Sequence, residues 1–198
     1  MKNYNGKPLC VHKSMKNQLQ TFSKICKKDN ITFWLDYGTL LGAVRNNKFI
    51  PWDYDFDVGI FFEDVDRVLT KENIEIARKM GVGLIRARCG SVDTYDLNYP
   101  IPGIVGSVHG DAFAWHTKGD RIFHPWQPHS HNLADVQTFS EIEFECDIYP
   151  CFNDNEKVLI QYYGTDWKIP KVFPAEYREC KLWDADNTEL MEEIKKYL

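Results

Sequence analysis

Several features are missing from this chain of 198 residues, and each absence narrows its class. No apolar run approaches the roughly 18 residues of a membrane helix, and the opening MKNYNGKPLC is polar rather than signal-like. The expectation is a cytoplasmic protein without an integral membrane segment; a chain trimmed from a longer parent would leave the secretory lumen open. No dense Lys/Arg run occurs, and 24 basic against 29 acidic residues give a net charge of −5. A nucleic acid held by its phosphate backbone is therefore not expected. The six cysteines (Cys10, Cys26, Cys89, Cys146, Cys151 and Cys180) include no CxxC pair. Their even number permits disulfides without arguing for them, and they are expected to be mostly reduced and buried. Repeats, low-complexity stretches and a dividing linker are absent too, so residues 1–198 read as a single domain. What is present is apolar: 43% hydrophobic and 14% aromatic residues describe a folded globule. The six tryptophans exceed what a small core needs, so some are expected to line a site.

Met15, Leu19, Phe22 and Ile25 recur at helical spacing and predict an amphipathic helix over 12–29. ITFWLDY (31–37) alternates and predicts a strand, with Ile31, Phe33 and Leu35 on one face. Gly38 and Thr39 turn the chain into a short helix, TLLGAVRNN. A loop marked by Pro51 leads to a second strand, DFDVGIFF, and then to a helix over 63–81 that stops at Gly81. Further strands are expected at 82–89, 107–116 and 141–150, with a Gly- and Pro-rich region after the first of them. RIFHPWQPHSH reads as a loop, NEKVLIQYYGTDW as a short helix ending at Gly164, and ADNTELMEEIKKYL as a terminal helix. The order is mixed, giving an α+β (or α/β) class with helices packed on a small mixed sheet.

The densest chemistry lies in PWDYDFDVGIFF, where Asp53, Asp55 and Asp57 alternate and then run into an apolar strand. An EF-hand loop opens with D-x-D-x-D, but it needs Gly at its sixth position and Glu at its twelfth. Counted from Asp53 those places hold Val58 and Asp64, so calcium of that type is excluded. On a strand, Asp55 and Asp57 share a face while Phe56, Val58 and Ile60 pack on the other. Two carboxylates on one face repel, and a divalent cation neutralises them. Oxygen ligands with room for water and phosphate suit Mg²⁺ or Mn²⁺. The preceding strand–Gly38–Thr39–helix element supplies a hydroxyl and backbone N–H groups at a helix N-terminus, where anions bind.

Those residues carry a resemblance. LDYGTLLGAVRNNKFIPWDYDFDVGIF closely resembles the signature of the LicD/fukutin family: strand, Gly-Thr, short helix, Arg, then a Phe-Ile-Pro-Trp-Asp lead. GDAFAWH (110–116) resembles the family's Asp-containing strand, and FECDIYPCFNDNEKVLIQYYGTDWKIP its closing segment, so the motif-bearing core covers about 31–170. Position 54 is Tyr where many relatives carry Asp, which leaves Asp55 and Asp57 intact. The resemblance implies a nucleotidyltransferase-type fold in which the DxD aspartates hold one or two metals and a third carboxylate comes from a neighbouring strand. Asp111 is the choice for that third place, because His109, Asp111 and Phe113 share a face; Asp147 is the competitor. The resemblance also implies transfer of a phospho-alcohol, such as phosphocholine or ribitol phosphate, from a CDP-linked donor to a glycan hydroxyl. Asp55, Asp57 and Asp111 would then be both metal ligands and catalytic residues, and Gly38 and Thr39 would bind donor phosphate oxygens. Nucleotidyl transfer to a small acceptor, and a non-catalytic glycan- or nucleotide-binding domain, are the alternatives.

Arg45 follows the short helix, where a guanidinium can brace phosphate or make a surface ion pair; the resemblance favours the first. Trp52 can stack on a base or sugar, or simply anchor its loop. His124, His129 and His131 have no cysteine near enough in sequence to complete a tetrahedral zinc set, so they read as loop histidines. Trp115 and Trp126 offer flat apolar surfaces that could flank an acceptor sugar. Tyr162 and Tyr163 are expected to pack in the core.

Overall fold

The first helix, α1 (His12–Asp29), forms where the apolar stripe predicts it: Met15, Leu19, Phe22, Ile25 and Cys26 are all fully buried. The computed structural model describes residues 12–51, 53, 55–87, 90–97, 109–124 and 129–170, and the expected terminal helix lies outside them. Strand β1 (Phe33–Leu35) is shorter than the expected 31–37, because Asp36 leaves the strand to cap the next helix, α2 (Tyr37–Asn46). Trp34 is as buried as its neighbours, so alternation does not describe this strand. α2 ends at Asn47, whose left-handed backbone (φ 56°) returns its N–H to the carbonyl of Ala43. Strand β2 (Asp55–Phe61) follows.

The helix expected over 63–81 is broken. A 3-10 turn (Phe62–Asp64) and a single turn, α3 (Val65–Val68), precede α4 (Lys71–Lys79), which Thr70 caps by accepting the Asn73 N–H. Thr at that position offers the backbone a hydroxyl partner, and the helix restarts there. β3 (Val82–Arg86) is paired antiparallel with β4 (Val92–Asp96), a strand that the sequence reading did not anticipate. VDTYD hides its character because only Val92 and Thr94 face the core, leaving Asp93, Tyr95 and Asp96 partly exposed. β5 (His109–Lys118) is the long central strand, extended by β6 (Arg121–Phe123) and β7 (Ser130–Asn132) where a loop was expected. The single strand predicted over 141–150 is a hairpin, β8 (Ser140–Phe144) and β9 (Asp147–Cys151). Its two-residue turn, Glu145 and Cys146, has φ of 52° and 67°, a geometry usually signalled by Asn-Gly. α5 (Asn155–Tyr163) ends at Gly164 as predicted.

The main sheet runs β1-β2-β5-β4-β3, with β2 and β5 parallel and the other neighbours antiparallel. This mixed sheet with its helices is the expected α+β class. α1 covers the face that carries Phe56, Val58, Ile60, Ala112 and Ala114, all fully buried. Its Phe22 ring meets Phe33 edge-on at 5.7 Å, and Gln18 accepts from the Thr94 hydroxyl at 2.7 Å. Burial on this scale, about 1.5–3 kcal/mol for each large side chain, is what anchors the sheet. On the opposite face Trp34 lies against Gly59, where an added Cβ would come within 2.2 Å of the indole. Among the described residues no helix is long and apolar enough to cross a membrane. Cys26 and Cys151 are free and buried; Cys146, at the hairpin turn, is free and exposed.

Of the histidines expected in a loop, His124 and His129 do lie outside strands and helices, whereas His131 is in β7. His124 and His131 are 3% and 4% exposed, and their rings lie 5.1 Å from Phe113 and 5.0 Å from Trp115 respectively. Among the described residues they form no group with metal-ligand spacing. Burial pushes His124 down to about 3, and His129 and His131 down to about 4, so all are neutral at pH 7. An unfolded chain takes up these protons near pH 6.5, before the folded chain does, so their contribution to stability falls as pH drops. His124→Gln should therefore become relatively more stable than wild type by about 1.4 kcal/mol for each pH unit below about 6.5. Urea unfolding at a series of pH values between 7 and 4 measures this, and parallel pH profiles for the two proteins would refute it.

Candidate functional site

On β2, Asp55 and Asp57 project from the face not covered by α1. β5 runs parallel and sets His109 opposite Asp55 and Asp111 opposite Asp57. β4 continues both rungs, with Tyr95 opposite His109 and Asp93 opposite Asp111. The alternation of each strand thus brings four carboxylates and one imidazole to one end of one face. His109 Nε2 lies 4.0 Å from Asp55 Oδ2 and 3.9 Å from Asp111 Oδ2. One ligand atom from each of Asp55, His109 and Asp111 falls within 4.8 Å of the others.

Asp57 is held differently, by the start of α2. The Gly38 N–H donates to Asp57 Oδ2 at 3.0 Å, and the Asp57 N–H donates to Thr39 Oγ1 at 2.8 Å. The Asp36 N–H donates to the Asp57 carbonyl at 3.2 Å. The approach is close: a Cβ on Gly38 would sit 3.0 Å from Asp53 Oδ2 and 3.1 Å from Asp57 Oδ2, so a larger residue would have to displace them. Gly38 and Thr39 are therefore committed to Asp57, with Thr39 itself buried.

Crowding sets the charge of this site. Burial raises Asp57 well above the usual carboxylate range, and Asp55, Asp111 and Asp53 raise it further, against the Gly38 N–H. Burial lifts Asp111 to about 7, with Asp93 and Asp55 adding to the rise and His109 opposing it. Asp93 is also raised by burial, and it shares a hydrogen bond with Asp111. The folded chain thus retains protons here that a cation would displace. The donor set fits a divalent ion: two carboxylates and an imidazole span little more than the octahedron defined by ligands at about 2.1 Å.

Asp36 was not anticipated. It is fully buried and accepts three hydrogen bonds, from the Tyr37 N–H at 3.0 Å, Trp115 Nε1–H at 3.0 Å and the Tyr162 hydroxyl at 2.9 Å. The Tyr162 oxygen also pairs with His131 Nε2 at 2.7 Å. Burial lifts Asp36 to about 7, opposed first by the Tyr162 hydroxyl. The signal was available: an acid between a hydrophobic strand and a helix start is an N-cap. Tyr37 follows with φ at 36°, a backbone state held by its ring stacking on Tyr162 at 4.6 Å and meeting Phe113 edge-on at 5.1 Å.

The other expected site residues fall elsewhere. Arg45 lies in the last turn of α2, about 10 Å along the helix from Gly38, and its guanidinium donates to the carbonyls of Trp167 and Ile169. Asp147, on the hairpin, accepts from Gln20 Nε2 at 2.6 Å, whereas Asp111 stands beside Asp57. Trp115 is fully buried and offers no face to a sugar. Tyr162 packs against the core as expected, but Tyr163 is 36% exposed. Trp52 and Trp126 lie outside the described residues.

Comparison with known proteins follows the same residues. Positions 30–182 match the family model described as "LicD/FKTN/FKRP, nucleotidyltransferase domain". Human "Ribitol-5-phosphate transferase FKTN" is 44% identical over 188 residues, covering 89% of this chain and 36% of that protein. Mouse "Ribitol 5-phosphate transferase FKRP" is 38% identical over 64 residues, covering 31% of this chain and 13% of that protein. "Lipopolysaccharide cholinephosphotransferase LicD" of Haemophilus influenzae (strain ATCC 51907 / DSM 11121 / KW20 / Rd) is 41% identical over 51 residues, 26% of this chain and 19% of that one. The matches thus span well under two thirds of these relatives' length. Among solved structures, lincomycin-bound lincosamide antibiotic adenylyltransferase LnuA aligns with a TM-score of 0.49 at 14% identity, over 86% of this chain and 96% of that one.

The buried network makes a prediction of its own. Tyr162→Phe removes one of the three hydrogen bonds to Asp36 and the partner of His131. It should cost about 1–3 kcal/mol of stability, the usual penalty for leaving a buried polar group unsatisfied. Denaturant unfolding at pH 7.5 measures the loss, and a variant as stable as wild type would show that the network carries no such weight.

Proposed function

Because this chain belongs to the LicD/FKTN/FKRP nucleotidyltransferase-domain family, we propose that it is a metal-dependent transferase moving a phospho-alcohol from a CDP-linked donor to a glycan hydroxyl. The donor alcohol would be of the ribitol-phosphate or phosphocholine type, after the names of the relatives. The observation that carries this reading is the rung-by-rung pairing of Asp55 with His109 and of Asp57 with Asp111, at the start of α2. Asp55, Asp57 and Asp111 would hold Mg²⁺ or Mn²⁺, which when bound neutralises the donor pyrophosphate and the departing CMP.

The remaining work falls to the chain. Gly38 and Thr39 act through Asp57, the first holding its carboxylate and the second its backbone N–H. The acceptor hydroxyl attacks the phosphorus that bears the alcohol. A new P–O bond forms there, the P–O bond to CMP breaks with its electron pair going to CMP, and the hydroxyl proton passes to Asp111. Arg45, tied to backbone carbonyls at the far end of α2, has no part in this reading.

The family's description as a nucleotidyltransferase domain favours one competing reading, in which attack falls on the nucleoside's own phosphorus. The products separate the two. Incubation of the protein with CDP-ribitol or CDP-choline, a glycan acceptor and Mn²⁺ or Mg²⁺ should release CMP and leave an acceptor heavier by the phospho-alcohol. Mass spectrometry reads both, and an acceptor carrying the cytidine moiety promotes the nucleotidyl reading. Asp111→Asn should lower turnover about 10²–10⁴-fold, the usual weight of a general base, while keeping most donor binding. Asp55→Asn and Asp57→Asn should each abolish the rise in melting temperature that Mn²⁺ and a cytidine nucleotide give wild type; retention of that rise in both would sink the metal assignment.

A further inference from the structure

We infer that His109 is a nitrogen ligand of the bound metal and that it tilts the site towards Mn²⁺ over Mg²⁺. This rests on the metal-site reading above and names a residue and a selectivity that reading does not contain. The register of β2 and β5 sets His109 directly opposite Asp55 on the acidic face, one rung from Asp57 and Asp111. Its Nε2 is nearly equidistant from the two flanking carboxylates, 4.0 Å from Asp55 Oδ2 and 3.9 Å from Asp111 Oδ2. A ring nitrogen equidistant from two carboxylate oxygens lies within reach of an ion bound to both.

One oxygen of the alternative third donor is already engaged. Asp57 directs Oδ2 to the Gly38 N–H at 3.0 Å, and it is not in the group whose ligand atoms lie within 4.8 Å of one another. The compact donor set is therefore two oxygens and one nitrogen, rather than three oxygens. Mg²⁺ takes oxygen ligands and gives up water reluctantly, whereas the first-row transition ions accept imidazole and bind more tightly along the series from Mn²⁺. An imidazole in the first coordination sphere thus discriminates between the two ions that an all-oxygen aspartate site would treat more evenly.

Mn²⁺ alone is a sufficient probe, because it is paramagnetic. Electron paramagnetic resonance of the full chain titrated with Mn²⁺ gives binding from the loss of the free-ion signal, and pulsed spectra report nitrogen bound to the ion. Wild type should show nitrogen modulation that changes when the histidines are labelled with ¹⁵N, a readout independent of any variant. In His109→Ala, checked for an unchanged apo melting temperature, the modulation should vanish. This assigns it to His109 rather than to His12, whose Nε2 lies 3.0 Å from the Asp53 carbonyl oxygen. The excess of Mg²⁺ needed to displace Mn²⁺ should also fall about tenfold or more in that variant, the scale on which metal sites respond to ligand-shell changes. Bound Mn²⁺ without nitrogen modulation, or an unchanged Mn²⁺/Mg²⁺ ratio in His109→Ala, overturns the inference and leaves an oxygen-only metal site standing. Failure of wild type to bind Mn²⁺ at all overturns the metal reading itself.

Discussion

The seating of α2 on Asp57 is the constraint from which the rest of the site follows. Three hydrogen bonds join residues 36, 38 and 39 to this one aspartate, through its carbonyl, carboxylate and N–H. They fix where the helix begins, and they engage one oxygen of the carboxylate. The N–H groups and dipole of a helix N-terminus favour a carboxylate's charged form, and here they oppose the rise that burial and the crowding of Asp53, Asp55 and Asp111 impose on Asp57. The helix in turn is held in place by Asp36, whose three donors come from α2, β5 and α5. One buried carboxylate thereby ties the turn before α2 to elements on two sides of it.

The sheet supplies the other half of the arrangement. With β2 and β5 parallel and in register, the face they turn to α1 buries Phe56, Val58, Ile60, Ala112 and Ala114, and the opposite face changes character along its length. Acids and His109 occupy its start, while Trp34, Phe113 and Trp115 fill its later part with the rings of Tyr37, Tyr162 and His131. The aromatic part is a rigid floor, and the acidic part is the rim that this floor holds at the edge of the core. A charge cluster needs such backing, since each carboxylate gains more by rotating outward to water than by staying beside another.

Much of this was legible in the sequence, for identifiable reasons. α1 announced itself through Met15, Leu19, Phe22 and Ile25, and the shared face of Asp55 and Asp57 followed from strand periodicity alone. Asp111 was chosen over Asp147 from a resemblance and a face argument, and it stands opposite Asp57. Elements whose rule is tertiary were not legible. β4 has only Val92 and Thr94 to face the core, and the hairpin turn uses Glu145 and Cys146 in a backbone state usually marked by Gly or Asn. Arg45 looked like a phosphate ligand because its partners, the carbonyls of Trp167 and Ile169, lie more than a hundred residues away. His109 was noticed only as a neighbour of Asp111; its approach to Asp55 depends on a pairing that no local pattern encodes.

That same pairing sets when the site can come into being. The residues of β2 and β5 that meet are over fifty positions apart, and α3, α4, β3 and β4 all lie between them in the chain. Contacts of such separation close late, because the loop entropy must be overcome before they yield any gain. Neither half of the cluster alone gathers Asp55, His109 and Asp111, so no partly folded form that lacks this strand pair presents the three together. An ion held by all three would therefore act as a seal on the finished chain rather than as a seed for it, and its capture would mark the moment when the two central strands have closed.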